Sequence, residues 1–108
     1  MVIKNVIKIS DFIDQALTDN DGMLIRTEID KLWNNTYQEV ILDFNHISYF
    51  TTDFFSASLC YYLSFMSVCE LFRLITFDNI PKWAMHTFFT CIKCAEITLK
   101  STFRKEDT

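Results

Sequence analysis

The residues best suited to chemistry lie where a strand is followed by a helix, within residues 39–59. An apolar run there is followed by a short loop that ends at Thr51, Thr52 and Asp53. Side-chain oxygens at a helix start lie beside backbone N–H groups that lack helical partners. Such a turn can contact a partner, accept a modification or attract an anionic group. The turn is therefore the leading candidate site.

Other chemically active residues form patterns that argue against catalysis. Cys91 and Cys94 make a CxxC, but it falls at the predicted end of a helix, where the helix dipole does not activate a thiol. We expect structural thiols, reduced in a cytoplasm. A thiol redox protein remains an alternative, for which Cys91→Ser should abolish function.

Asp43, His46 and Ser48 lie close together in sequence and resemble the residues of a hydrolase triad. The chain has no Gly-x-Ser-x-Gly nucleophile motif, and its single glycine does not suffice for a phosphate-binding loop. We therefore predict no enzyme activity, no metal and no cofactor.

Composition limits the remaining classes. The 108 residues fit one domain, and 50% of them are hydrophobic, which argues against a disordered chain. A net charge of −4 gives little support for nucleic-acid binding. The uncharged run 54–69 has 16 residues and is shorter than the ~20 that a membrane span needs. Because no signal peptide is recognisable, we expect a cytoplasmic protein that does not enter a membrane.

The hydrophobic pattern predicts alternating strands and helices. The predicted strands are 2–9, 39–44, 71–77 and an optional edge strand at 95–101. The predicted helices are 23–34, 52–68 and 81–94, with a helical turn at 10–17 and a polar loop at 18–21. The β-α-β-α-β-α order predicts an α/β domain with a mostly parallel or mixed sheet of three to five strands. Continuous apolar character predicts that strand 39–44 is central and buried on both faces. The domain is assigned to residues 1–100 and a charged tail to 101–108.

The chain resembles the STAS-like family, which is related to the STAS domains of anti-sigma factor antagonists. The resemblance covers roughly residues 2–95. It rests on the strand end Asp43-Phe44, a loop of about seven residues, and Thr51, Thr52, Asp53, Phe54 and Phe55 in the places of the family's hydroxyl-rich turn. The segments DNDGMLIR and LITFDN also fit the family.

The resemblance implies a non-enzymatic regulatory module whose partner is a histidine-kinase-type ATPase of the anti-sigma class. In antagonists the second serine of the turn is phosphorylated, and Asp53 holds that place here. The resemblance therefore implies a fixed docking surface with partial phosphate mimicry, and Thr52 is the remaining phosphorylation candidate. Thr52 or Asp53 is also expected to cap the helix, a role compatible with partner contact.

The uncharged helix is predicted to present two apolar stripes. One stripe faces the sheet and comprises Phe55, Leu59, Tyr62 or Leu63, and Met66. The other stripe is expected to be exposed, because full burial of a helix is hard to arrange in a single-sheet domain of this size; it comprises Phe54, Ser58, Tyr61 and Phe65. Aromatic side chains are also common anchors of partner or homodimer interfaces. The predicted partner-binding residues are Ser48, Thr51, Thr52, Asp53, Phe54, Ser58, Tyr61 and Phe65.

A second hypothesis is a small acidic inhibitor, of the phage or mobile-element kind, that blocks a host or defence protein. The acidic helix predicted at Met23–Asn34 is then the contact surface. Charge reversal at Glu28 and Asp30 should matter for such an inhibitor and not for a STAS-like module.

Overall fold

A computed structural model describes residues 5–34 and 36–106, with side chains described as far as residue 97. Three parallel strands form one sheet in the order β1-β2-β3. The strands are β1 (Asn5–Lys8), β2 (Val40–Asp43) and β3 (Ile75–Asp78). The helices are α1 (Asp19–Leu32), α2 (Thr52–Ser58), α3 (Val68–Leu74) and α4 (Lys82–Glu106), with 3-10 turns at Ile9–Asp11 and Cys60–Ser64. The α/β class is confirmed, and the described residues form four helices rather than about three.

The sheet buries one face. Ile7, Leu42 and Ile75 point into the core. On the other face Val6 is 51% exposed and Thr76 is exposed, and Ile41 of β2, which lies between them, is only half-buried. The alternation follows from the strand period of two. β2 is central, as predicted, but the prediction that both its faces are buried is wrong. The described helices contribute their apolar stripes to a single core on one side.

α1 begins earlier than predicted. Thr18 caps it: the Thr18 hydroxyl accepts a hydrogen bond from the N–H of Asp21, and the Asp21 carboxylate accepts one from the N–H of Thr18. This reciprocal capping box satisfies two backbone donors. The segment 18–21, predicted to be a polar loop, is therefore the helix start, and the helix ends at Leu32 rather than Asn34.

The single long helix predicted at 52–68 is wrong. α2 ends at Ser58, a 3-10 turn follows, and Ser67 starts α3 by accepting a hydrogen bond from the N–H of Glu70. Ser-x-x-Glu is a helix-start pattern that the sequence displays at this point. Residues 71–74, predicted to be part of a strand, are therefore helical, and only 75–78 form β3.

α4 replaces two predicted elements. It begins at Lys82, one residue after Pro81, and continues through the segment 95–101 that was predicted to be an edge strand. The strand prediction is wrong there because the helical stripe continues: Phe88, Ile92 and Ala95 all pack on the core. The helix backbone enters the predicted tail as far as Glu106, whereas residues 107–108 and residues 2–4 of the first predicted strand lie outside the described part. No helix within that part has both the length and the hydrophobicity of a membrane span.

Candidate functional site

Thr51 is the N-cap of α2. Its Oγ1 accepts a hydrogen bond from the N–H of Phe54 at 3.2 Å and donates one to the carbonyl of Leu17 at 2.6 Å. Its backbone is extended, whereas Thr52 is already helical. The prediction that Thr52 or Asp53 caps the helix is therefore wrong. The Thr51 hydroxyl is held in the structure, and this leaves Thr52 and Asp53 as the accessible residues of the turn.

The loop before the turn is anchored to the segment that follows β1. The Gln15 side chain accepts hydrogen bonds from the N–H groups of Ser48 at 2.7 Å and Tyr49 at 2.9 Å. Ala16 donates to the carbonyl of Tyr49, and its own carbonyl accepts from Thr51. These bonds give the loop a defined backbone position, with the residues Ser48 and Tyr49 exposed at its surface.

Phe54 and Ser58, predicted to lie on an exposed face, are fully buried. The reason is the close approach of α1, which covers this side of α2 at Gly22. A Cβ added at Gly22 would lie 2.5 Å from the carbonyl oxygen of Phe54 and 2.8 Å from the Cβ of Ala57. The Ser58 hydroxyl is satisfied by donating to the carbonyl of Phe54 at 2.8 Å. Neither side chain is available to a partner.

Tyr61 and Phe65 are exposed, in agreement with the prediction for these two residues. They keep 45% and 54% of their surfaces exposed, and their ring centroids lie 5.7 Å apart in an edge-to-face arrangement. The Arg26 guanidinium lies 4.1 Å from the centre of the Tyr61 ring and donates to the carbonyl of Ala57. The sheet-facing stripe is confirmed as buried: Phe55, Leu59, Tyr62, Leu63 and Met66.

The exposed residues define what we call the α2 surface: Thr52, Asp53, Ser56, Tyr61 and Phe65. Ser56 lies one helical turn after Thr52 and shares a groove with Tyr61. The surface therefore connects the first turn of α2 to the exposed aromatic pair. Of the eight predicted partner-binding residues, four lie on it: Thr52, Asp53, Tyr61 and Phe65.

An open groove of about 460 Å³ lies beside the α2 surface, between the Cys60–Ser64 turn and α4. Its lining is Ser56, Cys60, Tyr61, Ser64, Cys91, Cys94 and Ala95. The CxxC lies in the middle of α4 rather than at its end, and Cys60 from another element joins it. The sequence carried no signal for this meeting, because Cys60 and Cys91 are 31 positions apart.

Two of the groove thiols, Cys60 and Cys91, are held in their neutral form. Burial raises the pKa of Cys60 to about 12, and the neighbouring Cys91 adds to the effect. Burial also raises the pKa of Cys91. A thiol with a raised pKa is a poor nucleophile at neutral pH, because little of it is present as thiolate. In the described part of the chain no group of three His, Cys, Asp or Glu residues is arranged to hold a metal ion.

The carboxylate of Asp43, the acid of the suggested triad, is engaged at the end of the sheet. Asp43 accepts hydrogen bonds from the side chain of Asn79 at 2.8 Å and from the N–H of Asn45 at 3.0 Å. These bonds lower the pKa of Asp43. The N–H of Ser48 donates to Gln15. The hydrogen bond from Asn79 to Asp43 therefore joins the carboxyl ends of β2 and β3.

The two acids of the inhibitor hypothesis make internal contacts. Glu28 forms a 2.9 Å ion pair with Lys31 one turn later on α1. Asp30 accepts a 2.6 Å hydrogen bond from the buried Tyr62 phenol. Charge reversal at Asp30 would therefore disturb the fold as well as the helix surface.

The chain was compared with protein-family models, curated proteins and solved structures, and none of the three comparisons found a match.

Proposed function

We propose that this protein is a non-enzymatic regulatory module that binds another protein through the α2 surface. The observation that carries the proposal is the exposed aromatic pair, Tyr61 and Phe65, on a short turn beside an uncharged groove. Aromatic residues and arginine are enriched at the centres of protein interfaces. Both occur here, because Arg26 lies over Tyr61.

The aromatic pair, Tyr61 and Phe65, packs on the buried ring of Tyr62. The buried Tyr62 ring lies 5.5 Å from that of Tyr61 and 5.8 Å from that of Phe65, and its phenol is bonded to Asp30. Side chains supported in this way lose little further freedom when a partner binds. A supported, exposed aromatic cluster is therefore suited to anchoring a protein contact.

The acidic end of the α2 surface suggests the class of partner. Asp53 lies in the first turn of α2. By the resemblance to STAS-like domains, it would take the place of the serine that is phosphorylated in anti-sigma factor antagonists. We propose a histidine-kinase-type ATPase of that class as the partner, with Asp53 as a permanent negative group. Thr52, exposed beside it, is the proposed modification site, where a phosphate would add about −1.5 to −2 charges.

Capture experiments with matched variants test the proposal. Immobilised wild-type protein is exposed to an extract of its native host, and the captured proteins are compared with those retained by the Tyr61→Ser/Phe65→Ser double variant. We expect the double variant and Asp53→Ala to lose the specific partner. Phe12→Ser is the control, since Phe12 is 43% exposed and lies between β1 and α1.

Equal capture by the wild type and the double variant would show that docking occurs elsewhere. Sedimentation of the isolated chain covers the homodimer alternative: a wild-type dimer that the double variant dissociates would identify a second copy as the occupant.

Exposed apolar residues on the outer face of α1 support a second candidate function, the acidic inhibitor. Met23 and Leu24 are exposed there, next to the acidic first turn that contains Asp19. Because Glu28 and Asp30 make internal contacts, Met23→Ser/Leu24→Ser is the cleaner discriminating variant. Loss of capture by this variant, with capture retained by Tyr61→Ser/Phe65→Ser, would favour the inhibitor.

A further inference from the structure

The first strand, β1, has a free edge. Within the described residues β1 pairs with β2 alone, so it lies at the edge of the sheet. An edge strand presents a row of unpaired backbone N–H and C=O groups, whose spacing matches that of another extended chain. Proteins commonly block such edges with proline, a bulge or charged side chains. β1 contains no proline and a single charged residue, Lys8, so its edge is open to a further strand.

An open groove of about 530 Å³, which we call the edge groove, runs along this edge between β1 and α1. It is lined on one side by residues 6–8 of β1 and on the other by Glu28, Lys31 and Leu32 of α1. The C-terminal half of α1 therefore borders the free edge, level with residues 6–8. A strand added beside β1 would contact α1 as well.

The charges along the edge groove balance. Its lining includes two bases, Lys8 and Lys31, and two acids, Asp11 and Glu28, whereas the whole chain carries a net charge of −4. Copies of an acidic chain repel each other where acids meet acids, and a region with no net charge avoids this repulsion. A partner segment of one charge sign would meet as many like charges as opposite ones. The charge pattern therefore favours a second copy of the chain.

Glu28 and Lys31 complement themselves across a two-fold axis. They lie one turn apart on α1 and form a 2.9 Å ion pair. Paired strands lie about 4.8 Å apart and packed helices about 8–10 Å apart. Symmetric antiparallel pairing of β1 with its copy therefore places the two α1 helices side by side in opposite directions. Because both residues lie level with β1, Glu28 of each copy then faces Lys31 of the other, as a two-fold interface requires.

The opposite edge of the sheet lacks this complementarity. β3 is the other edge strand, and residues 75–79 contain one acid, Asp78, and no base. Pairing of β3 with its copy would bring like charges together, which is unfavourable. Self-association through strand pairing is therefore expected at β1.

We propose that two copies of the chain pair through β1 and form a dimer with one continuous sheet. The β1 strands run antiparallel across the two-fold axis, and each α1 packs beside its copy over the edge groove. This inference goes beyond the proposed function and does not depend on it. No residue that lines the edge groove belongs to the α2 surface. The dimer therefore presents two α2 surfaces, and a partner with two docking sites binds it more tightly than it binds the monomer.

Sedimentation of the full chain, from micromolar to millimolar concentration, tests the proposal. We expect the wild type to dimerise and Val6→Lys to dimerise far more weakly, because lysine on an edge strand opposes pairing. Thr76→Lys is the matched control, since Thr76 is exposed on the same sheet face but belongs to β3, and it should dimerise as the wild type does. A wild type that is monomeric at every concentration, or equal dimerisation by Val6→Lys, would overturn the proposal.

Charge exchange on α1 tests the two-fold arrangement. Lys31→Glu and Glu28→Lys each bring like charges together across the axis, and each should weaken dimerisation about tenfold or more. An equal mixture of the two variants should associate again, because an acidic α1 then faces a basic one. A mixture that associates no better than its components would overturn the arrangement. A dimer that Tyr61→Ser/Phe65→Ser dissociates and Val6→Lys leaves intact would also overturn it, and would assign self-association to the α2 surface.

Discussion

Gly22 of α1 lies directly against the backbone of Phe54 in α2. A Cβ at this position would meet the Phe54 carbonyl oxygen at 2.5 Å and the Cβ of Ala57 at 2.8 Å. A backbone carbonyl in a packed helix cannot move aside as the end of a flexible side chain can. The only glycine in the chain therefore fixes how closely α1 and α2 approach, and with it the orientation of the α2 surface.

Gly22→Ala is expected to destabilise the protein. Alanine favours a helix interior by about 1 kcal/mol over glycine, but overpacking typically costs about 1–3 kcal/mol. Because the clash is with backbone, we expect an overpacking cost in the upper part of this range, about 2–3 kcal/mol, and a net fall of about 1–2 kcal/mol in the free energy of unfolding in urea. Leu24→Ala on the exposed face of α1 serves as the control and should change it by less than about 0.5 kcal/mol. An unchanged or more stable Gly22→Ala would contradict the close helix contact.

The two threonines of the turn should respond differently to substitution. Thr51→Ala removes the N-cap of α2 and the hydrogen bond to Leu17, and should cost about 1–2 kcal/mol in unfolding free energy. Thr52→Ala removes an exposed side chain and should cost less than about 0.5 kcal/mol. Thermal and urea unfolding of both variants provide the measurement. Equal losses would mean that the capping assignment is incorrect.

Tyr62→Phe should reduce stability by about 1–2 kcal/mol at neutral pH, because it removes the phenol that donates to Asp30. The effect should depend on pH. Burial first, and then the hydrogen bond to Asp30, raise the pKa of Tyr62 above its ordinary value of 10.0. Because the pKa is higher in the folded protein, the phenol contributes to stability below pH 10. This contribution is lost as the pH rises further.

Wild-type unfolding free energy should therefore decline more steeply above about pH 10 than that of Tyr62→Phe. Urea titrations across this range measure the two slopes. Parallel curves would show that the phenol is not held in its neutral form.

Asn79 combines two roles at the end of β3. Its backbone has a left-handed φ of 56°, and its amide donates to Asp43. Asn79→Gly removes only the amide, whereas Asn79→Ala also adds left-handed strain of about 1–2 kcal/mol. We expect the alanine variant to be the less stable of the two in urea. The reverse order would exclude backbone strain as a factor.

The same variants should show an acid dependence. The Asn79 amide first, and then the Asn45 N–H, hold the pKa of Asp43 below its ordinary value of 3.8. The resulting stability is present above that pH and is lost as the pH falls further. The difference between wild type and Asn79→Gly should therefore shrink below about pH 4. A constant difference across this range would mean that Asp43 is not responsible.

The sequence by itself determined those elements whose signals are local. The buried run that contains β2, the helix start at Pro81 and the α/β class follow from hydrophobic period and turn chemistry. The burial of the stripe that begins at Phe55 was predicted as well. Of the stripe predicted to be exposed, Tyr61 and Phe65 are exposed but Phe54 and Ser58 are buried, so the sequence did not determine the exposure of that stripe. The capping signals at Thr18 and Ser67 were present in the chain as well, although the predicted boundaries missed them.

Only the tertiary structure decided which faces of these elements are covered. An apolar run such as 54–77 has no period that separates helix from strand or locates a break. The burial of Phe54 and Ser58 depends on how closely α1 approaches at Gly22. The meeting of Cys60 with Cys91 depends on where α4 lies. Each is a contact between distant parts of the chain, and local residue preferences carry no information about such contacts.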